Sequence, residues 1–339
     1  MIDREYYRPA AAVGRMCAIV SLGLVLVSGV SAGDYSDRPE VANIVSVAAA
    51  AGVDAGWTQE LLASALRQQS ILDAIARPAE KTKPWHEYRE IFLTERRIRE
   101  GVQFWTQHDR VLDTVSRRTG VPAEVIVAII GVETFYGRIT GSYRVIDALA
   151  TLAFDYPKRS AFFTGELQAF LVLSWESGKD PLTLKGSYAG AMGYGQFMPS
   201  SYQAYAKSYE GNAAPDIWND PADAISSVAN YLQVHGWRPQ QPVILEAVVK
   251  QPEPTVFDVG LKPTQSIEQL SERGVSAVKP TEATLLATPL RFELAEGAQN
   301  WLGLQNFYSI TRYNHSAMYA LAVWELSQAI AATRAERER

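Results

Sequence analysis

The sequence predicts a mainly α-helical protein of the α+β class with one small β-containing region. Over most of the chain, apolar residues recur at the spacing of amphipathic helices, as at Ile98, Val102, Trp105, Leu112 and Val115. Between residues 241 and 307, prolines instead separate short β-prone runs such as 243–249 and 284–294, with one helix expected near 267–273. Because 47% of the 339 residues are hydrophobic, the chain has enough apolar surface for a folded core.

Glycine and proline place the ends of the first helices. Gly52 and Gly120 follow helical stretches and suit C-terminal caps. Pro122 suits the first turn of a strongly apolar helix, which we expect to end at Gly137. This helix carries Glu133 near its C-terminal end.

Two later helices have clear starting signals. The Asp220-Pro221 pair caps a helix that ends at Gly236. Asn314 is predicted to cap the last helix, whose apolar stripe consists of Tyr319, Val323, Leu326 and Ile330. The charged end beyond Ala332 should be solvated.

The first 32 residues read as a secretory signal peptide. Three arginines precede an apolar run from Met16 to Val30, and small residues lead up to Ala32, after which we expect cleavage. The alternative is an uncleaved membrane anchor, but the run is shorter than the roughly 20 residues of a spanning helix. Cys17 lies at the front of the run instead of just after it, so no lipid anchor is expected. The sequence thus predicts an exported, periplasmic protein.

Charge and motif spacing exclude several function classes. A net charge of -5 lacks the basic excess of a nucleic-acid-binding protein. The four histidines are scattered, so no zinc motif is present. The glycines at 190, 193 and 195 follow neither nucleotide-binding pattern, and the G-x-S-x-G string at 29–33 falls inside the predicted signal peptide.

Glu133 is the most informative residue, because a carboxylate on an apolar helix must be paired, neutralised or used. Burial raises the pKa of a carboxyl group, which suits a general acid that protonates a glycosidic oxygen near neutral pH. A structural alternative stays open at this point: Glu133 could pair with Arg138 or Arg144 at the helix end.

A glycine-rich segment from Gly186 to Tyr202 is the second candidate. Its glycines allow close approach of a ligand, and Ser187, Gln196 and Phe197 supply hydroxyl, amide and ring groups that suit sugars. A tight turn before a helix that begins at Pro199 is the structural alternative.

Three segments closely resemble the lytic murein transglycosylase B family, which comprises membrane-bound lytic murein transglycosylase B and its soluble relatives. They are Gly131 to Arg138, Asp147 to Arg159 and the glycine-rich segment. The resemblance extends from about residue 34 to 332 and is strongest between 121 and 236. It implies a lysozyme-like catalytic core flanked by a helical domain and a small β domain, with Glu133 as the only catalytic carboxylate.

The resemblance also sets the expected domains and substrate contacts. The domains are a signal peptide (1–32), a helical domain (33–120) joined by a C-terminal helix (314–333), the catalytic core (121–240), a β-containing subdomain (241–307) and a return to the core with the C-terminal helix (308–339). The expected contacts are Ser187 beside the catalytic Glu, Gln196 and Phe197 on the glycan, Tyr88, Tyr231, Tyr313, Asn314 and Tyr319 around the active site, and Lys158 with Arg159 on the peptide side. Lys158 replaces an arginine of the family and lacks its bidentate grip on carboxylates.

No cofactor is expected. Members of the family can carry an EF-hand-like calcium loop, but here Ser208 and Ala214 replace expected ligands and leave Glu210, Asn212 and Asp220. We therefore predict weak calcium binding or none.

The implied activity is cleavage of peptidoglycan between N-acetylmuramic acid and N-acetylglucosamine without water, giving 1,6-anhydromuramoyl products. The expected partners are glycan strands and cell-wall synthesis proteins, and the protein is expected to be a monomer. Two alternatives stay open. A hydrolytic muramidase would need a second carboxylate, for which Asp147, Asp155 and Glu176 are candidates. A non-catalytic scaffold would bind glycan through the tyrosine-rich cleft.

Overall fold

The structure is a computed structural model and describes residues 34–76, 83–211 and 214–339. The predicted signal peptide lies outside these residues. The chain from Asp34 onward belongs to one compact unit. Helices account for about 53% of the described residues, so the mainly α prediction is confirmed. Among the described helices, none is both long and apolar enough to cross a bilayer.

Within the described ranges, six helices precede the apolar helix that carries Glu133. They are α1 (Pro39–Ala50), α2 (Ala55–Ala63), α3 (Gln69–Ala76), α4 (Trp85–Glu90), α5 (Glu95–Gln107) and α6 (Asp109–Thr119). The predicted cap at Gly120 is confirmed, since this residue ends α6 with φ 71° in the left-handed region.

The central helix α7 (Ala123–Thr134) is buried almost all round, from Ala123 to Gly131. It packs against α5, α6, α11 and α14, as expected of a helix without a polar face. Two boundary predictions were wrong: Pro122 is the N-cap rather than the first helical residue, and the helix ends at Thr134 instead of Gly137. It ends early because Phe135 and Tyr136 adopt positive φ angles of 52° and 61°.

The rest of the core surrounds α7. Its elements are β1 (Tyr143–Arg144), α8 (Val145–Asp155), a 3-10 turn (Pro157–Arg159), α9 (Ser160–Ser177), β2 (Lys185–Gly186), α10 (Pro199–Tyr205) and α11 (Pro221–Val234). The short strands β1 and β2 form an antiparallel pair that places Tyr143 opposite Gly186. Asp220 caps α11 by accepting a hydrogen bond from the Ala222 N–H at 2.8 Å, as predicted.

A five-stranded antiparallel sheet occupies the region predicted to contain β structure. Its strands are β3 (Ile244–Val249), β4 (Gln265–Ser266), β5 (Val275–Ala277), β6 (Leu286–Glu293) and β7 (Ala298–Gly303), in the order β4-β6-β7-β3-β5, with α12 (Ile267–Glu272) between β4 and β5. Val256, Leu270 and Leu302 belong to a small core of its own, whereas Leu290 and Phe292 join the main core.

The chain returns to the core through α13 (Gln305–Thr311) and α14 (Ala317–Arg337). The predicted cap at Asn314 was wrong, because Ser316 caps α14 by accepting a hydrogen bond from the Tyr319 N–H at 3.3 Å. The predicted stripe is confirmed, since Tyr319, Val323, Leu326 and Ile330 are all buried. The boundaries between the helical domain, the core and the β subdomain stay a prediction.

Candidate active site

The carboxyl group of Glu133 contacts the N-terminal turn of α14. Its Oε1 accepts a hydrogen bond from the Tyr319 hydroxyl at 2.5 Å. The cations that could have paired with it are engaged elsewhere: Arg138 pairs with Glu100 at 2.8 Å, and Arg144 pairs with Asp147 at 2.7 Å. Glu133 is therefore not held by a structural ion pair at the helix end.

Burial raises the pKa of Glu133 to about 7, and the hydrogen bond from Tyr319 partly opposes this rise by stabilising the carboxylate. The side chain nevertheless keeps some exposed surface. Protein atoms thus enclose the carboxyl group, although Glu133 as a whole is not fully buried. A group in this state is part protonated and part ionised at neutral pH, as acid and base catalysis both require.

Two tyrosines border the carboxyl group. Tyr319 is only 2% exposed, and Tyr313 donates a hydrogen bond from its hydroxyl to the Gly195 carbonyl oxygen at 2.6 Å. Burial, and then the negative charge of Glu133, raise the pKa of both phenols. Tyr88 on α4 is close enough to Tyr319 to contribute to this rise. The structure thus brings together four of the predicted residues: Glu133, Tyr88, Tyr313 and Tyr319.

The glycine-rich segment lies against the C-terminal end of α7. The Thr134 hydroxyl donates to the Tyr194 carbonyl oxygen at 2.9 Å and also accepts the Gly137 N–H at 3.0 Å. Gly141 approaches so closely that a Cβ atom there would lie 2.0 Å from the Gly186 carbonyl. The segment is therefore fixed to the residues that follow Glu133.

The three candidates in this segment have different surroundings. Ser187 is partly exposed, and its Oγ accepts the N–H groups of Ala189 and Ala191 at 3.3 and 3.1 Å. The Gln196 amide nitrogen donates inward to the Thr140 and Gly193 carbonyl oxygens. Phe197 is 3% exposed and its ring packs against those of Tyr231 and Tyr313, so it offers little surface to a sugar.

The remaining residues predicted to contact the substrate differ in how deeply they are buried. Tyr231 is largely buried, donates to the Arg312 carbonyl oxygen at 2.5 Å and stacks on His235. Asn314 is exposed in the loop before α14. Lys158 and Arg159 are exposed at the start of α9, and among the described contacts none joins them to Glu133.

The structure describes only part of the segment that the resemblance likens to a calcium loop. Ser208 Oγ accepts the Gly211 N–H at 3.2 Å, Glu210 is exposed, and Asp220 caps α11. Asn212 lies outside the described residues. The described part of the chain contains no group of three or more acidic, histidine or cysteine side chains placed to hold a metal.

The candidate second carboxylates are occupied or exposed. Asp147 is 4% exposed and receives two hydrogen bonds from Arg144. Asp155 pairs with Arg38 and Arg67. Glu176 is exposed on α9, and no carboxylate of the described residues contributes to the pKa of Glu133. The site contains one acidic group.

Sequence reasoning missed the turn that ends α7. Thr134 and Tyr136 fix this turn through side-chain hydrogen bonds, the latter by donating from its hydroxyl to the Arg97 carbonyl oxygen at 2.8 Å. Thr134 directly follows Glu133, and a threonine there could have indicated a side-chain hydrogen bond near the helix end. The sequence does not indicate that Phe135 and Tyr136 adopt positive φ angles, because neither residue type requires them.

Comparison with known proteins decides the family. The transglycosylase SLT domain matches residues 36–328. The chain belongs to this family. This transglycosylase is 43% identical to membrane-bound lytic murein transglycosylase B of Escherichia coli over 90% of its own length and 86% of the relative. It is therefore an enzyme of the lytic transglycosylase class.

Solved structures agree with this assignment. Soluble lytic transglycosylase SltB1 from Pseudomonas aeruginosa is 48% identical, with a TM-score of 0.82 over 88% of this chain and all of that one. SltB3 from the same organism, in complex with NAG-anhNAM-pentapeptide, is 32% identical, with a TM-score of 0.76 over 86% of this chain and 78% of that one. The likeness confirms the lysozyme-like architecture of the transglycosylase.

Proposed function

We propose that this transglycosylase cleaves the β-1,4 bond between N-acetylmuramic acid and N-acetylglucosamine in peptidoglycan, with Glu133 as its acid and then its base. One observation carries the proposal: an enclosed carboxyl group whose pKa is raised to about 7 and which has no second carboxylate of the described residues beside it. The anhydro sugar bound to the relative SltB3 supports the same product for this enzyme.

In the first step, protonated Glu133 donates its proton to the oxygen that links the two sugars. The C–O bond breaks, and its electron pair remains on the departing N-acetylglucosamine hydroxyl. The acetamido oxygen of the substrate stabilises the positive charge at the anomeric carbon, so the protein needs no nucleophile of its own.

In the second step, ionised Glu133 removes the proton from the C6 hydroxyl of the muramic acid. The C6 oxygen then bonds to the anomeric carbon, and the acetamido oxygen is released. A 1,6-anhydro ring forms, no water is consumed, and Glu133 recovers the proton with which it began. One carboxyl group is therefore sufficient for the whole cycle, because it gives up one proton and recovers one.

Tyr319 supports both steps by holding one oxygen of this group. Its hydroxyl donates to Glu133 Oε1, which leaves Oε2 for the substrate. Because this bond favours the carboxylate, it keeps the pKa of Glu133 below the value that burial alone would give. The carboxyl group can therefore give up a proton and take one back near neutral pH.

The substrate contacts complete the proposal. The glycan strand would lie across Glu133, with Ser187, Gln196, Phe197, Tyr88, Tyr231, Tyr313, Asn314 and Tyr319 around it and Lys158 and Arg159 towards its peptides. The buried ring of Phe197 would support Tyr231 and Tyr313, while the partly exposed Ser187 is the better candidate for direct contact.

We place the enzyme in the periplasm, where it could meet cell-wall synthesis proteins. We propose that it is a monomer, that it has no lipid anchor and that it does not require calcium.

The masses of the products distinguish the proposal from its rivals. Purified sacculi treated with the enzyme should release muropeptides that end in 1,6-anhydromuramic acid, each lighter by one water than the corresponding hydrolysis product. Mass spectrometry reads this difference directly. Products with a reducing muramic acid would indicate a hydrolytic muramidase, and binding to sacculi without release of fragments would indicate a scaffold.

A further inference from the structure

Three arginines surround the ring of Phe135, which follows Glu133 by two residues. The guanidinium carbon lies 5.1 Å from the ring centroid for Arg96, 4.7 Å for Arg97 and 5.7 Å for Arg138. These distances are typical of cation–π contacts. We call Arg96, Arg97 and Arg138 the arginine cluster.

A continuous row of side chains joins the arginine cluster to the carboxyl group. Arg97 lies 5.2 Å from the ring of Phe92, whose centroid is 5.3 Å from that of Tyr88. Tyr88 is close to Tyr319, the hydrogen-bond partner of Glu133. A series of contacts therefore links the cluster to the reacting group, and Phe92, Phe135 and Arg97 each keep some exposed surface.

Among the described residues, one carboxylate pairs with the cluster. Glu100 receives Arg96 Nε at 2.9 Å and Arg138 Nη1 at 2.8 Å, one on each of its oxygens. The side chains of Arg96 and Arg138 remain 58% and 55% exposed. Glu100 thus holds two guanidinium groups in fixed positions without using most of their N–H donors, and positive charge exceeds negative charge.

Gathering three like charges around one ring is unfavourable unless an anion balances them. A guanidinium group with free N–H donors in a fixed position suits a planar anion such as a carboxylate, which it binds bidentately. The substrate assigned above is a glycan strand that carries peptides, and every such peptide brings carboxylates. Because the series of contacts ends at Glu133 and Phe135 follows Glu133 by two residues, we expect a strand positioned for cleavage to bring those groups towards the cluster.

We propose that the arginine cluster binds a carboxylate of the peptide carried by the strand, with Arg96 and Arg138 as the contacting residues and Arg97 as their support on Phe135. The inference rests on the proposed function and adds a preference for strands whose peptides are charged. It is separate from the basic pair at Lys158 and Arg159, which lies at the start of α9.

The test compares two substrates that differ only in charge: soluble peptide-bearing strands, and the same strands after their carboxylates have been converted to amides with a carbodiimide and ammonia. The parent enzyme should cleave the untreated strands at least about tenfold faster at low substrate concentration. In the double variant Arg96→Gln and Arg138→Gln this ratio should fall by at least about fivefold, and any preference that remains would belong to Lys158 and Arg159, which are intact. Arg117→Gln, which removes an exposed arginine paired with Asp113, serves as the control and should keep the parent's ratio.

The ratio of the cleavage rates on untreated and amidated strands distinguishes a loss of carboxylate recognition from a folding defect. A double variant that merely distorts the turn after Glu133 would lose activity equally on both substrates. An unchanged ratio in the double variant, or a parent with no preference, would overturn the inference while leaving cleavage intact. A parent that yields anhydro product from neither substrate would instead overturn the proposed function.

Discussion

Replacing Glu133 by Gln should reduce the release of anhydro muropeptides from purified sacculi by about 100-fold or more, since a lost acid/base group costs at least that much. Glutamine has nearly the same shape and can still accept the hydrogen bond from the Tyr319 hydroxyl, but it cannot transfer a proton. The variant should fold as well as the parent, because burial disfavours the charged form of the carboxyl group that it removes.

Glu176→Gln is the matched control for this experiment. It makes the same chemical change at an exposed glutamate on α9 that was a candidate second carboxylate, and its activity should stay within about twofold of the parent. Activity of the Glu133→Gln variant within about tenfold of the parent would show that another group supplies the proton. A large loss in Glu176→Gln would revive the two-carboxylate mechanism.

Replacing Gly141 by Ala should damage the site without removing any reacting group. Gly141 has a φ of 99°, and an added Cβ would lie 2.0 Å from the carbonyl of Gly186 and 2.4 Å from the Ser187 nitrogen. Backbone atoms cannot move aside as a flexible side chain can. We expect a loss of unfolding free energy on the order of 3 kcal/mol and at least about tenfold lower activity, measured by thermal unfolding and product release.

Gly178→Ala isolates the contribution of backbone conformation alone. Gly178 also has a positive φ, 64°, at the end of α9, but an added Cβ there would have no atom within 4 Å. It should lower stability by roughly 1 kcal/mol and leave activity near that of the parent. If the two variants lost stability equally, the packing of the glycine-rich segment against Gly141 would not be what fixes the site.

The sequence was sufficient to single out Glu133 as a candidate, because a carboxylate near the end of an apolar helix must be paired, neutralised or used, but it left open a pairing with Arg138 or Arg144. It was also sufficient for caps with a strong local preference, such as Gly120 and the Asp220-Pro221 start of α11. These predictions depend on interactions within a few residues of one another. The buried stripe of α14 was predictable from its helical periodicity, which is also a local property of the sequence.

Features that depend on tertiary contacts were not predictable. The helix end at Thr134 depends on two positive φ angles that Tyr136 maintains through a hydrogen bond to Arg97. The sequence could not reveal that Arg138 pairs with Glu100, on another helix, and so leaves Glu133 without a cation. The glycine-rich segment and the family resemblance suggested that Phe197 contacts sugar, whereas its ring is buried against those of Tyr231 and Tyr313.

The central claim is that Glu133 exchanges a proton near neutral pH, and its titration tests this most directly. Carbon-13 NMR of enzyme labelled at glutamate carboxyl carbons, with the Glu133→Gln variant to assign the signal, should give a pKa of about 7. Since the first step needs the protonated group, kcat/KM should fall as the pH rises through this value. A Glu133 signal that titrates at the ordinary value of a free glutamate, in an enzyme fully active at pH 7, would contradict the account.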